Sequence, residues 1–414
     1  MSRVLALCFL LLAGVIGFLH IDSRPVWAPF ATPTVVQVEE EPQAEVQSSS
    51  KIKPLARPSI ATPLATWLPD TGAASAHAAS LIVLNDGTIR AFWFAGSYEG
   101  ALDVSIYSSV FDPKANLWSA PTVVMDRVSA EKGLRRYIAK LGNPVPSRLP
   151  DGRIQLFFVT VSIGGWAGSS ISAITSDDEG FTWSNPQRLI SSPLLNLSTL
   201  VKSPPAHFAD GRLGLPAYHE WVGRFGEFLR IDAGQVIDKR RMSSGRSAIQ
   251  PLLFVTNAQD AVAVFRQTRS ADQAKQIPVS NTANAGQSWD VMPDLPIANP
   301  NAAIAGVTLN NGARLMALNN IDYGRHRLVL MVGDSKGEHW QVVEVLEDDE
   351  ATDPVLRKEF SYPYLVTVDG SDAHLVYTWD RKKIRHRYFS GAWLKHASHQ
   401  NPSAEAEDKL RELQ

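Results

Sequence analysis

The stretch Ser176-Asp177-Asp178-Glu179-Gly180-Phe181-Thr182-Trp183 constrains this chain more than any other feature, because its spacing Ser-x-Asp-x-Gly-x-Thr-Trp returns in weaker copies. Thr282-x-Asn284-x-Gly286-x-Ser288-Trp289 and Gly333-x-Ser335-x-Gly337-x-His339-Trp340 keep the Gly and Trp register, and Trp118 closes a more degenerate version. Each piece has a mechanical role in a tight hairpin. An Asp accepts hydrogen bonds from the backbone of its own turn, a Gly supplies a left-handed φ, and a Trp carries a large apolar surface to a neighbouring unit. One copy specifies a turn, whereas recurrence at fixed spacing specifies a repeat protein.

A second punctuation mark precedes these boxes. A polar turn lies between two alternating apolar runs at Asp86-Gly87, Asp151-Gly152, Asp210-Gly211, Asp260-Ala261, Asn311-Gly312 and Asp369-Gly370. The marks are roughly 50 to 65 residues apart, and four of them precede a Trp by about 30 residues, so the two signals share one register. Runs such as Ile154 to Val159, Ala261 to Phe265 and His374 to Trp379 are rich in β-branched and aromatic residues, and no long amphipathic helix separates them. Units of this size, with about four short strands each, predict an all-β fold: a six-bladed β-propeller.

The ends of the chain read differently. Arg3 precedes an uninterrupted apolar run from Val4 to Leu19, which marks an export signal but is shorter than the roughly 20 residues of a usual membrane span. A cleaved signal peptide and an uncleaved anchor are both open over residues 1–21. Residues 22–68 carry many Pro, Glu, Gln and Ser and predict an extended linker. The propeller is expected over 69–395, followed by a polar tail over 396–414. The expected location is therefore exported: periplasmic or cell-envelope, with residues 4–19 as an inner-membrane anchor if they are retained.

With 40 basic and 42 acidic residues and a net charge of −2, the chain gives no support for nucleic-acid binding. Its only cysteine, Cys8, lies in the leader, so the folded part has neither a disulfide nor a cysteine metal site. No metal and no cofactor are expected, and a monomer is.

In a propeller the innermost strands converge on a central channel, where polar residues from distant parts of the chain meet. His77, just ahead of the first apolar strand, is the first candidate. Later blades offer Arg136 and Lys140 ahead of Gly142-Asn143-Pro144, then His207, Tyr218-His219-Glu220, Gln250, Arg266, Arg325 and Tyr362. Converging arginines suit a carboxylate, which guanidinium groups bind in bidentate fashion. Glu99, on the turn Gly96-Ser97-Tyr98-Glu99-Gly100, and the nearby Asp103 are candidates for a general acid.

These stretches, with His77-Ala78-Ala79-Ser80-Leu81, Leu215-Pro216-Ala217-Tyr218 and Phe360-Ser361-Tyr362-Pro363-Tyr364-Leu365, make the chain resemble the sialidase (neuraminidase) superfamily, in particular its bacterial-neuraminidase-repeat, or Asp-box, members. The resemblance runs from about Asp70 to Phe389. Sialidases hold a sialic acid carboxylate with three arginines and use a tyrosine nucleophile, a glutamate that activates it and an aspartate as acid/base. By resemblance, Tyr362 is the nucleophile and Arg266 and Arg325 are the second and third arginines, with Asn143 and Tyr218 lining the substrate. The departures are specific. His77 stands where the first arginine is expected, Gln250 stands where the activating glutamate is expected, and the acid/base aspartate has no clean equivalent.

Three readings are open. The first is an exo-glycosidase acting on sialic acid or a related acidic sugar of a glycan or polysaccharide. It has Tyr362 as nucleophile, Glu220 as a base from a neighbouring blade, Glu99 or Asp103 as acid, and Arg266, Arg325 and a cationic His77 on the carboxylate. The second is a polysaccharide lyase or histidine-dependent glycosidase on uronic-acid polymers, with His77 and Tyr362 as base and acid. The third is a non-catalytic glycan-binding or envelope-assembly propeller.

Overall fold

Each polar turn of the sequence joins the first and second strands of a sheet. Asp86-Gly87 links Ser75–Val83 to Ile89–Gly96, Asp151-Gly152 links Lys140–Arg148 to Ile154–Val161, and the other four marks act in the same way. The computed structural model describes residues 2–22, 27–32, 63–192, 196–270, 272–350 and 353–399. Among them, six antiparallel sheets of four or five strands form the blades of a propeller. Blades I to V occupy residues 75–125, 140–188, 200–241, 248–298 and 305–348, and blade VI is built from residues 360–389.

The outermost strand of blade VI comes from the other end of the chain. Leu64–Trp67 pairs antiparallel with Lys383–Phe389, Leu64 opposite Tyr388 and Trp67 opposite Arg385. Thr66 Oγ1 lies 3.1 Å from His386 Nδ1, and His386 Nε2 lies 2.9 Å from His374 Nδ1. Burial holds His374 down to about 4, so this closing latch is made by neutral imidazoles. The propeller thus begins at Leu64 rather than at 69, because a four-residue strand beside a Pro-rich segment is too short to stand out by composition.

The Asp box behaves as its residue types demand. Asp178 Oδ1 accepts from the backbone N–H groups of Phe181 and Thr182 at 3.0 and 2.8 Å, and Oδ2 accepts from the Thr182 hydroxyl at 2.7 Å. These donors hold the Asp178 carboxyl at about 2. Trp183 reaches across to blade I, with its ring 5.7 Å from that of Phe92. Trp289 meets Phe228 of blade III at 5.6 Å, Trp340 meets Phe254 of blade IV at 6.2 Å, and Trp118 meets His386 of blade VI at 5.1 Å. Every box tryptophan therefore packs on the preceding blade. In blade V the acceptor is Asp334, which takes the N–H groups of Gly337 and Glu338, one position ahead of the Ser335 that aligns with Asp178.

Gly180 is required twice over. Its φ is +91°, and a Cβ there would stand 2.9 Å from Nε of Arg90. Gly180→Ala is expected to destabilise the protein by about 2–3 kcal/mol in urea unfolding. Gly152→Ala, at φ +88° with open space around it, should cost only ~1 kcal/mol. Equal losses at the two sites would show that the Arg90 contact gives way freely.

Outside the blades, Ser2–Asp22 forms a helix, and no helix among the described residues is long and apolar enough to cross a membrane. Part of the expected linker is instead docked. Trp27 and Phe30 are buried between blades III and IV, and the backbone around Phe30 bonds to Ala258, His207 and Ala209. Of the rest, residues 33–62 lie outside the described residues, as do 400–414 of the expected tail. A helix at Gly391–His399 begins ahead of that tail and buries Leu394.

Candidate active site at the channel mouth

One end of the channel carries a ring of backbone strain. The innermost strands of blades I, II, IV and VI each break register, between His77 and Ser80, Gly142 and Val145, Ile249 and Leu252, and Ser361 and Tyr364. At each break a non-glycine residue is left-handed: Ala78 at φ 50°, Asn143 at 46°, Gln250 at 51° and Tyr362 at 52°. Ser198 at φ 58° and Asn301 at 64° precede the inner strands of blades III and V. All six blades thus bear one such residue near the start of the inner strand. A bulge re-aims its side chain, and left-handed non-glycine backbone costs roughly 1–2 kcal/mol per residue. Strain repeated in this way is a mark of function.

Four of these residues feed one hydrogen-bonded chain. Asn143 Nδ2 donates to Tyr218 Oη at 3.4 Å, and Gln250 Nε2 donates to the Tyr218 and Tyr362 hydroxyls at 3.2 and 3.4 Å. Arg266 places one terminal nitrogen 3.4 Å from both Tyr362 Oη and Gln250 Oε1, while its Nε bonds Asn301 Oδ1 at 2.7 Å. Tyr362 Oη therefore faces two donors, one of them cationic. Both would stabilise negative charge as it forms on that oxygen. Tyr362, Gln250, Arg266, Asn143 and Tyr218 are thus one constellation, with Gln250 beside the tyrosine where the resemblance expects a glutamate. Burial pushes the Tyr218 hydroxyl well above its ordinary range, which keeps it a neutral partner.

A second network holds two more cations at the rim. Glu359 bridges Arg325 at 3.0 Å and Arg381 at 3.1 Å, and Arg381 also reaches Glu99 at 2.5 Å. Arg325 further bonds the carbonyl of Asn301 at 3.1 Å, tying this network to Arg266. Burial works against ionisation of Glu359, yet Arg325 and Arg381 hold its carboxyl down at about 2. Arg381 and Asp380 are the central residues of the β-turn Trp379–Lys382, closed by Lys382 N–H on the Trp379 carbonyl at 3.0 Å, and both their φ values are positive, 54° and 50°. Such turns favour Asn-Gly, so an Asp-Arg pair here is a second strained placement.

The structure revises the expected roles of several residues. His77 is 1% exposed, neither ring nitrogen has a hydrogen-bond partner, and its ring lies 4.4 Å from that of Tyr362. Burial, reinforced by Arg381, lowers it to about 3, so it is neutral and cannot serve as the expected cation. Arg381 is the third arginine of the mouth instead. Glu99 is held in its ion pair with Arg381. Asp103 accepts from the N–H and hydroxyl of Ser97, which keep its carboxyl below the usual range; it is a turn acceptor, not a proton donor. Glu220 is different, because burial raises its carboxyl above the ordinary range against the pull of Arg266 and Arg224. No hydrogen bond joins it to Tyr362. His207 lies at the far end of the channel, its carbonyl bonded to Ala31, and Lys140 lies over the Trp166 ring at 5.7 Å.

Residue-by-residue reading missed Arg381, Glu359, Asn301 and Lys202. Arg381 and Glu359 lie off the early-strand positions where charge was sought, on the hairpin and the approach to the last blade. Lys202 is buried in the channel wall, donating to the Pro363 carbonyl at 2.8 Å, 6.0 Å from the Tyr362 ring centroid and 5.3 Å from that of Tyr364.

Residues 87–375 match the family model described as BNR repeat-like domain. No curated protein matches the sequence. Solved structures similar to the chain include a Hadza microbial sialidase, at 13% identity and TM-score 0.62, with 77% of this chain and 66% of that one covered. The intramolecular trans-sialidase from Ruminococcus gnavus, solved with oseltamivir carboxylate, is 14% identical at TM-score 0.59, covering 78% and 96%. A protein of unknown function from Dyadobacter fermentans is 12% identical at TM-score 0.63, covering 79% and 97%. The chain spans just under two thirds of the Hadza sialidase. At these identities the likeness is one of fold.

Proposed function

The chain belongs to the BNR repeat-like domain family, and on that premise we propose that it is a sialidase-like glycosidase acting on a terminal acidic sugar of a glycan. The observation that carries this reading is the convergence on one mouth of Tyr362, Arg266 and the Arg325–Glu359–Arg381 network. Three guanidiniums from three blades suit a sugar carboxylate, which each can hold bidentately. Tyr362 Oη attacks the anomeric carbon as the bond to the leaving oxygen breaks. Glu220 takes the phenolic proton and passes it to that oxygen, a role suited to a carboxyl whose burial raises its proton affinity. Water then cleaves the tyrosyl intermediate and restores both groups. The apolar run from Val4 to Leu19 supports export to the cell envelope, and fractionation of the expressed full chain checks it.

A second reading draws on His77. A neutral imidazole with two unpartnered nitrogens against the Tyr362 ring also suits β-elimination from a uronate. His77 would take the proton beside the carboxylate and Tyr362 would protonate the departing oxygen. The experiment offers fluorogenic sialosides and uronides together with uronate polymers, and follows released aglycone and the absorbance of an unsaturated product separately. Tyr362→Phe is expected to lower aglycone release at least ~100-fold with binding retained. Unchanged release would remove the nucleophile assignment, an absorbing product would establish the lyase, and binding with no product in the wild type would leave a glycan-binding propeller.

A further inference from the structure

Beside the mouth, between blades V and VI, lies a cleft of about 390 Å³ lined by Tyr323, His326, Arg357 and Lys358, with Pro300 and Pro354, and bounded by Arg325 and Glu359 themselves. That volume is within the range of small-molecule sites. Tyr323 is 67% exposed, yet its position is defined: Lys275 Nζ lies 3.6 Å from its ring centroid and bonds the carbonyl of Asp322 at 3.4 Å. Lys358 is anchored in turn, its N–H bonding Asp349 at 3.0 Å and its ammonium lying 3.4 Å from the same carboxylate. An aromatic face and two proline rings offer flat apolar surface of the kind a pyranose ring covers with its C–H face, while the charged lining is mainly basic.

Arg325 joins the two spaces, since it bonds Glu359 and Asn301 in the mouth and also lines the cleft. A sugar bound by its carboxylate at Arg325 therefore has its neighbour within reach of Tyr323 and Arg357. We infer that the cleft is a second subsite, which takes the sugar adjoining the acidic unit in the mouth, and that this neighbour carries its own carboxylate or sulfate. The inference rests on the mouth being an acidic-sugar site. It changes the substrate from a single acidic cap on a neutral chain to an oligosaccharide with consecutive anionic units.

The test is calorimetric titration of the full chain with sialic acid against α2,8-linked disialic acid, and with galacturonic acid against digalacturonic acid. A disaccharide carrying sulfate on its second unit separates sulfate from carboxylate. The disaccharide of at least one series is expected to bind about tenfold tighter than its monosaccharide, the contribution of one charge-assisted contact. Tyr323→Ala and the double variant Arg357→Ala/Lys358→Ala, with Tyr323 and Lys358 exposed and Arg357 half-buried, should erase that advantage while leaving the monosaccharide Kd unchanged. Monosaccharide binding with no gain for any disaccharide overturns the second subsite and leaves the mouth standing, as does a gain that survives the variants. Absence of binding by either member of every series overturns both assignments.

Discussion

Replacing Trp27 and Phe30 together by alanine is expected to lower the unfolding free energy by about 5 kcal/mol or more, although neither residue belongs to a blade. Phe30 stacks on Phe208 at 5.3 Å, and Trp27 lies 5.8 Å edge-on from the same ring. The Arg230 guanidinium covers Trp27 at 4.9 Å, and the indole N–H donates to Asp238 at 3.0 Å. Truncating one large aromatic in such a setting costs about 3–5 kcal/mol. The two share neighbours, so the double loss falls short of the sum. Urea unfolding of the two single variants and the double variant measures this. A double variant within ~1 kcal/mol of the wild type would show that the peg is dispensable and that the propeller stands on its blades alone. A chain begun after residue 32 would suffer the same loss, with Phe208 and Phe228 newly exposed.

That peg also shows where sequence reading stops. The Asp box, the six polar turns and the box tryptophans are local and periodic, so the propeller was legible from spacing, though not which neighbouring blade each Trp covers. Trp27 and Phe30 are two aromatics in a segment whose average composition is that of a linker, and nothing local says that they fill a seam between residues 206 and 286. Leu64–Trp67 was hidden for the same reason, since its partner lies more than 300 positions away.

The mouth divides along similar lines. Tyr362 and Gln250 sit at equivalent inner-strand positions, where the sequence sought them, whereas Arg266 lies on the second strand of blade IV and Arg325 in the loop ahead of the third strand of blade V. Gln250 and Tyr362 are turned to the mouth by left-handed bulges, which leave no sequence signal at Ala78, Gln250 or Tyr362 because none is a glycine or asparagine. The protonation states were illegible as well. His77 reads as a possible cation until burial and Arg381 are known, and Glu99 reads as an acid until Arg381 is found on it.

Replacing Lys202 by methionine should stabilise the protein by roughly 2–3 kcal/mol at neutral pH and change how stability varies with pH. Lys202 is 4% exposed and, among the described residues, no carboxylate pairs with it. Burial lowers it from 10.5 to about 7, a penalty of roughly 4–5 kcal/mol at or below neutral pH. The substitution removes this penalty, but leaves the Pro363 carbonyl without its donor, which costs about 1–3 kcal/mol. The sign follows from proton binding. Between pH 7 and 10.5 the unfolded lysine holds more protons than the folded one, so wild-type stability gains from this residue as pH rises through that window, and the variant loses that slope. Unfolding curves at pH 6, 8 and 10 check both parts, and a variant no more stable at pH 6 would mean that the ammonium is better solvated than its burial implies. The position gives the cost a purpose that can be measured. Below pH 7 Lys202 is a cation 6.0 Å from the Tyr362 ring and adds positive potential beside that tyrosine, so there the methionine variant should bind an acidic sugar several-fold more weakly while being the more stable protein. Gained stability with unchanged affinity would separate Lys202 from the mouth and leave its charge as a cost of the channel wall alone.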